Sequence, residues 1–153
     1  MFAAPKVARG AAYADIDNDG ALDLLVMTNG GPAYLFHSEG ATNHSLRVKL
    51  EGTRSNRDGI GAIVRVTSGN DKQWKMVKSG SSYLSQSELV LTFGLGDKNS
   101  ADQIEVQWPS GQVDKLSKVP AGQTIVVQEG KGIASSRPYK THVKRAGSIS
   151  AAK

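Results

Sequence analysis

The sequence predicts an all-β protein, and three observations support that prediction. Apolar and polar residues alternate with a period of two along residues 11–129, as in strands with one buried face. Gly, Asn, Asp or Pro interrupts the alternation about every eight to twelve residues, a spacing typical of turns between short strands. No stretch of ten or more residues has a convincing 3.6-residue period, although residues 97–102 leave room for a short helical turn. Many short strands with frequent turns favour a sandwich or a partly closed barrel.

Individual strands follow from the alternation. Leu46, Val48 and Leu50, for example, are separated by Arg47 and Lys49, so that one face of the strand is apolar. The predicted strands lie near 11–16, 22–28, 33–38, 45–51, 62–68, 72–79, 88–94, 103–108, 113–117 and 123–128.

The chain divides into three predicted parts. Turn residues cluster at 39–43, which places a boundary between residues 1–42 and residues 43–130. The first part supplies only three strands, too few for an independently stable sheet, so it must pack on the rest. Residues 131–153 are rich in Ser, Gly and Ala and are predicted to be a disordered basic tail.

Charge and composition limit the functional classes. The net charge is +5, but residues 131–153 hold six bases and no acid, so the remaining residues carry a net charge of −1. Nucleic-acid binding is therefore expected, if at all, only through the tail. There is no cysteine for a disulfide or a thiolate metal site, and no apolar run that could span a membrane or serve as an export signal.

The sharpest chemical motif is an aspartate-rich loop, DIDNDGALD, at residues 15–23. Carboxylates at alternate positions of a tight loop converge on one point, and Ca²⁺ takes six to eight oxygen ligands at short range. The predicted metal ligands are the side chains of Asp15, Asp17, Asp19 and Asp23 and the backbone carbonyl of Ala21. Four carboxylates in nine residues would repel one another without a counterion.

Two alternatives compete with this calcium site. An EF-hand requires a bidentate Glu at the twelfth loop position, where this chain has Val26, and it requires flanking helices, where this chain has predicted strands. A metal-free polar turn is the other alternative, because Asp, Asn and Gly are also the residues that turns prefer.

A second polar cluster, RSNRDGIG, occupies residues 54–61 between two predicted strands. Its Asn, Asp and Gly residues favour a structured turn. The competing hypothesis is a ligand-binding loop formed by Arg54, Arg57 and Asp58, with the two arginines as anion donors.

Three aromatic residues could stack on a sugar: Trp74, Tyr83 and Trp108. Trp74 and Trp108 occupy period-two positions in predicted strands, which favours a place in the core. The histidines stand alone in the sequence, with no spacing that suggests a zinc site, and none is assigned to catalysis.

These motifs carry a resemblance to known families. The stretch ARGAAYADIDNDGALDLLVMTNGGPAYLFHSEG resembles the last repeat of an FG-GAP or VCBS-type β-propeller, whose loops bind calcium through this aspartate pattern. Four later blocks resemble the ASPIC/UnbV domain of the cartilage acidic protein family: LRVKLEGTRSNRDGIGAIVRV, SGSSYLSQSELVLTFGLGD, ADQIEVQWPSG and AGQTIVVQEG. The resemblance implies a partial propeller-type calcium-loop hairpin that precedes, or packs on, a small sandwich or barrel-like module.

The resemblance also shapes the expected function. The earlier propeller blades are missing, so the chain resembles the C-terminal piece of a larger exported protein. We expect a non-catalytic, calcium-binding interaction or structural module, extracellular, periplasmic or on the cell surface, with a protein or glycan partner. The alternatives are an accessory domain of an enzyme whose active site lies upstream, and a nucleic-acid binder that acts through its basic tail.

Overall fold

The computed structural model describes residues 7–38 and 43–140 and confirms the all-β prediction. The described residues form eleven strands: β1 (Ala8–Ala14), β2 (Asp23–Thr28), β3 (Tyr34–Phe36), β4 (His44–Glu51), β5 (Ile63–Ser68), β6 (Asp71–Met76), β7 (Leu91–Gly96), β8 (Ser100–Gln107), β9 (Val113–Pro120), β10 (Gln123–Gln128) and β11 (Gly132–Pro138). Each of the ten predicted strands overlaps one of these. The helical turn considered at 97–102 does not form, because β8 begins at Ser100.

The strands form three sheets. The N-terminal sheet has the order β1-β2-β3, the first sandwich sheet β11-β10-β4-β7, and the second sandwich sheet β6-β5-β8-β9. Strands β4 and β10 pair in parallel, while the other neighbouring strands are antiparallel. None of these three sheets of described strands closes on itself, so the module is sandwich-like and not a barrel. The predicted boundary at residue 42 falls in 39–42, outside the described residues.

One hydrophobic core lies between the two sandwich sheets. The first sheet contributes alternate residues of β4, β7 and β10, and the second contributes alternate residues of β5 and β8; fully buried examples are Leu46, Phe93, Ile125, Val64 and Ile104. Burying each such side chain stabilises the fold by about 1.5–3 kcal/mol relative to exposure. The predicted alternation therefore identifies the inner faces of these five strands correctly.

The two tryptophans differ in burial. Trp108 is buried in the core, as predicted, and its indole N–H donates to Asp114 Oδ2 at 2.8 Å. Trp74 is 67% exposed, so the prediction of a core position is wrong. The reason is that β6 is an edge strand whose inward residues are polar: Gln73 Nε2 donates to the carbonyl of Gly94 at 2.6 Å, and Lys75 Nζ donates to that of Thr92.

The predicted disordered tail also needs correction. Residues 132–138 form β11, which pairs antiparallel with β10. Residues 133–138 of this strand are exposed, so the strand is held by backbone hydrogen bonds to β10 and not by apolar burial. Residues 141–153 lie outside the described residues.

Candidate functional site

The aspartate loop joins β1 to β2 and brings three carboxylates together. One oxygen each from Asp15, Asp17 and Asp19 lies within 4.8 Å of the others. The loop turns tightly because Asn18 (φ 63°) and Gly20 (φ 88°) adopt left-handed backbone conformations, which Asn and Gly tolerate best. Alternate carboxylates therefore converge, as the sequence predicts.

Backbone donors fix the orientation of these carboxylates. Asp15 Oδ1 accepts the N–H of Asp19 at 3.1 Å, and its Oδ2 accepts the N–H of Gly20 at 2.9 Å. Asp19 Oδ1 accepts the N–H of Ala21 at 2.7 Å. The carboxylates are thus preorganised by their own loop, which would lower the ordering cost of binding a cation.

The spacing of the three carboxylates fits a calcium ion. Ca²⁺–oxygen distances are about 2.3–2.6 Å, so two ligands on opposite sides of one ion are roughly 4.8 Å apart. Carboxylate oxygens are also the hard ligands that Ca²⁺ prefers. The residues present therefore fit the group that the sequence motif implies.

Asp23 lies outside this three-carboxylate cluster and has structural partners. It is 2% exposed; its Oδ2 accepts the N–H of Ile16 at 3.1 Å, and its Oδ1 accepts the N–H of Ser38 at 2.9 Å. Burial raises the pKa of Asp23, but these hydrogen bonds and His37 outweigh burial and lower it. Asp23 thus ties the end of β3 to the start of the aspartate loop.

His37 is a neighbour of the loop that the sequence analysis missed. Its Nδ1 lies 2.8 Å from Asp23 Oδ1, and its Nε2 lies 3.7 Å from Asp17 Oδ2. The hydrogen bond with Asp23 raises the pKa of His37 against the opposing effect of burial. No spacing motif could reveal this contact, because it depends on β3 returning alongside β2.

Arg47 anchors the aspartate loop to the sandwich. This residue of β4 is buried, with Nη1 at 2.7 Å from Asp15 Oδ2 and Nη2 paired with Glu88. Its cationic charge compensates part of the negative charge of the loop. In the sequence, Arg47 is only a polar residue on the non-core face of a strand.

The C-terminal segment closes over the same loop. The backbone N–H of Lys140 donates to the carbonyl of Asn18 at 2.8 Å, and the Tyr139 ring packs against Gly20. Ser45 Oγ lies 3.3 Å from the carbonyl oxygen of Gly20 and 3.2 Å from the Tyr139 hydroxyl. A segment predicted to be disordered thus helps to hold the candidate metal centre.

The hydroxyl-rich segment before β7 completes the attachment of the N-terminal sheet. Ser85 Oγ accepts the N–H of Ala11 at 3.0 Å, and Ser87 Oγ accepts that of Tyr13 at 3.2 Å. The N–H of Glu88 donates to the carbonyl of Tyr13 at 3.0 Å. These bonds satisfy polar groups along the edge of β1, so the N-terminal sheet and the sandwich are joined at several points.

The second predicted cluster folds around a carboxylate from elsewhere in the chain. Arg54, Arg57 and Asp58 are exposed. The N–H groups of Thr53, Arg54 and Ser55 all donate to Glu129 Oε2 at 2.8 Å. The backbone donors that could bind an external anion are therefore occupied by an internal one.

Glu129 lies at the centre of that loop's hydrogen bonds, and the sequence analysis did not predict this role. Its Oε1 also accepts hydroxyl groups of Ser55, at 2.9 Å, and of Ser110. Burial raises the pKa of Glu129, but the hydrogen bonds from Ser110 and the loop outweigh burial and lower it to about 2. The only sequence signal is an acid directly after an apolar strand and before Gly130.

None of the described residues belongs to a helix long and apolar enough to cross a membrane.

Comparison with known proteins identifies relatives of the sandwich. The family model described as ASPIC and UnbV matches residues 52–134. Cartilage acidic protein 1 from Xenopus tropicalis is 35% identical over 109 residues, which cover 68% of this chain and 16% of that protein. The Homo sapiens protein of the same name gives the same identity and coverage, and the Mus musculus protein is 34% identical. The chain spans about one sixth of the length of these curated relatives. Because the family model covers more than half of the sequence, this chain belongs to the ASPIC and UnbV family.

Proposed function

We propose that this chain is a non-catalytic, calcium-binding interaction or structural module of an extracellular or cell-surface protein. The observation that carries the calcium part is the approach of Asp15, Asp17 and Asp19 to within 4.8 Å of one another. In this proposal their carboxylates and the backbone carbonyl of Ala21 bind the ion, and water completes its coordination. Asp23 supports the loop through its backbone contacts.

Calcium would brace this module and not switch it. A switch needs two packed arrangements of comparable free energy. The loop is instead held from three directions, by Arg47 beneath it, by Tyr139 and Lys140 above it, and by Asp23 at its end. Ion binding in such a setting adds stability to an existing conformation.

The non-catalytic part rests on the roles of the buried acids. Asp23 and Glu129 both have lowered pKa values, and each accepts several backbone hydrogen bonds, as expected of structural carboxylates. A carboxyl group that acts as a general acid near neutral pH needs a raised pKa, which neither Asp23 nor Glu129 has. The extracellular setting and the need for a partner rest on the resemblance to the cartilage acidic protein relatives.

Calcium titration tests the proposal. Extracellular modules bind calcium with dissociation constants of about 0.1–1 mM, so about 2 mM free ion would stabilise the fold by about 1–2 kcal/mol. Isothermal calorimetry and amide chemical shifts should detect binding in the wild type, with Mg²⁺ as the competing ion. Asp17→Ala should abolish the calcium-dependent increment in stability.

Asp97→Ala is the matched control, because it removes one negative charge from a side chain that is 86% exposed and lies outside the loop. It should leave the calcium increment intact. If the wild type shows neither heat of binding nor amide shifts at millimolar calcium, or if both variants lose the increment equally, the calcium proposal fails.

A further inference from the structure

The outer face of the second sandwich sheet presents an exposed indole among polar side chains. Cross-strand pairing places Trp74 beside Arg65, and Arg65 beside Glu105. The next row along the sheet begins with Lys72 and Thr67. Because directly paired residues of antiparallel strands point to the same side, these side chains share one surface.

A shallow depression of about 280 Å³ lies on this surface. Its principal lining side chains are Arg65, Thr67, Lys72, Trp74, Gln103 and Glu105. One face-accessible aromatic ring combined with guanidinium, amine, amide and hydroxyl groups is suited to a sugar, which offers an apolar ring face and a rim of hydroxyl groups. The volume suits one or two sugar rings of a longer chain.

The charge of the surface indicates the kind of sugar. Arg65, Lys72 and Lys115 carry positive charge in the two rows, whereas Glu105 is the acid in them. Three bases and one acid leave these two rows with a net charge of +2, which complements an anion.

Arg65 retains N–H donors that can bind such an anion. Its Nη1 lies 3.4 Å from Glu105 Oε1 and 3.1 Å from Gln107 Oε1, and its side chain is about half exposed. A guanidinium has five N–H donors, and a long, exposed ion pair is weak. Glu105 and Gln107 thus orient Arg65 without using up its capacity to bind a carboxylate.

We propose that this face binds an acidic oligosaccharide, with a uronic acid ring stacked on Trp74 and its carboxylate bound by Arg65. This inference names a partner class for the interaction module proposed above and rests on that function. It does not depend on calcium, because Trp74 lies on the second sandwich sheet, whereas the aspartate loop is anchored through Arg47 of the first. A protein partner is less suited to this surface, because Lys72 and Glu105 flank Trp74, and Lys and Glu are depleted at the centres of protein interfaces.

Tryptophan fluorescence of the full chain gives a direct test. Trp108 is buried, so acrylamide quenching reports mainly on Trp74. The probes are a hexasaccharide of alternating glucuronic acid and N-acetylglucosamine, a sulfated heparin hexasaccharide and neutral cellohexaose, each in calcium and in EDTA. The glucuronate probe should protect Trp74 from quenching and the neutral probe should not, with the same affinity in EDTA.

Variants locate the binding surface by calorimetry. Trp74→Ala should weaken glucuronate binding about tenfold or more, and Trp74→Tyr should retain part of it, because tyrosine still offers an aromatic ring face. Arg65→Gln should weaken binding of the acidic probe by a similar factor. Tyr83→Ala is the matched control, because Tyr83 is 67% exposed, like Trp74, but lies outside this face. The affinity of this variant for the glucuronate probe should equal that of the wild type.

Several outcomes would overturn the inference. The inference fails if cellohexaose binds as tightly as the glucuronate probe, or if a preference for the sulfated probe survives Arg65→Gln. It also fails if Trp74→Ala leaves the affinity for the glucuronate probe unchanged, or if protection of Trp74 follows protein concentration in sedimentation experiments instead of added sugar. Loss of sugar binding with intact calcium binding would reject only this inference. Loss of calcium binding with intact sugar binding would reject only the calcium proposal.

Discussion

Arg47 Nη1 lies 2.7 Å from Asp15 Oδ2, which joins β4 of the first sandwich sheet to the first carboxylate of the aspartate loop. Both side chains are buried, and the two residues are 32 positions apart in the sequence. Such a buried ion pair holds the aspartate loop against β4, because separating the two partners would leave each charge buried without compensation. The candidate metal centre is therefore built on the sandwich and not on the hairpin alone.

Replacing Arg47 should destabilise the whole chain. Arg47→Met keeps much of the side-chain volume but leaves Asp15 and Glu88 without their cation, so we expect a loss of about 3–5 kcal/mol in the free energy of unfolding in urea. Lys49→Ala is the control on the same strand, because Lys49 is 52% exposed and pairs with Glu51 at 3.4 Å; its cost should be below about 1 kcal/mol. Equal effects of the two substitutions would contradict the anchoring role.

Acid should weaken the sandwich through Glu129. Its pKa is lowered from an unfolded value of 4.5 to about 2. Because the folded pKa is the lower one, this stabilisation is fully present above about pH 4.5 and is lost as the pH falls through the folded pKa near 2. Urea unfolding at a series of pH values should show that decline in the wild type.

Glu129→Gln removes the titrating group but keeps the shape. It should cost about 1.5–3 kcal/mol at neutral pH, because hydrogen bonds to a charged acceptor are replaced by weaker ones. The stability difference between wild type and variant should then shrink below pH 4. A constant difference from pH 7 to pH 2 would show that the charge of Glu129 does not stabilise the loop.

Truncation should distinguish the described part of the C-terminal segment from the remainder. A chain ending at Gly130 loses β11, the Tyr139 ring over Gly20 and the Lys140 bond to Asn18, so its thermal midpoint should fall and its calcium affinity should decrease. A chain ending at Lys140 keeps every one of these contacts and is the matched control. Identical midpoints for the two truncated chains would mean that β11 contributes nothing to stability.

A methyl group on Gly20 should disturb the loop more than one on Gly30. Both glycines have positive φ, at 88° and 69°, so each substitution by Ala carries a backbone cost of about 1 kcal/mol. A Cβ at Gly20 would also overlap the Tyr139 ring, whereas a Cβ at Gly30 meets no atom within 4 Å. Gly20→Ala should therefore cost more in urea unfolding than Gly30→Ala.

A double substitution isolates the steric part of that cost. With Tyr139→Ala as the background, Gly20→Ala should cost no more than Gly30→Ala does in the wild type. If the excess cost of Gly20→Ala persists without the Tyr139 ring, it arises within the loop and not from packing by the C-terminal segment.

The sequence by itself determined ten of the eleven described strands, the inner faces of the central strands and the local geometry of the aspartate loop. Period-two alternation records which residues of a strand share a face, so Leu46 and Ile104 could be placed in the core without coordinates. The convergence of Asp15, Asp17 and Asp19 is also local, because alternate positions in one tight loop are close whatever the rest of the chain does. Both properties depend on neighbours in sequence.

Only the tertiary structure decided which polar faces are covered and which residues complete each site. Arg47 and Lys49 occupy adjacent polar positions of one strand, yet Arg47 is buried under the aspartate loop and Lys49 is exposed. Glu129 reaches a loop about 75 residues away, and Trp74 faces solvent because it lies on the outer face of its sheet, opposite Arg65. The physical reason is that alternation distinguishes two faces of a strand, whereas the burial of a face depends on distant segments whose docking leaves no periodic signal in the sequence.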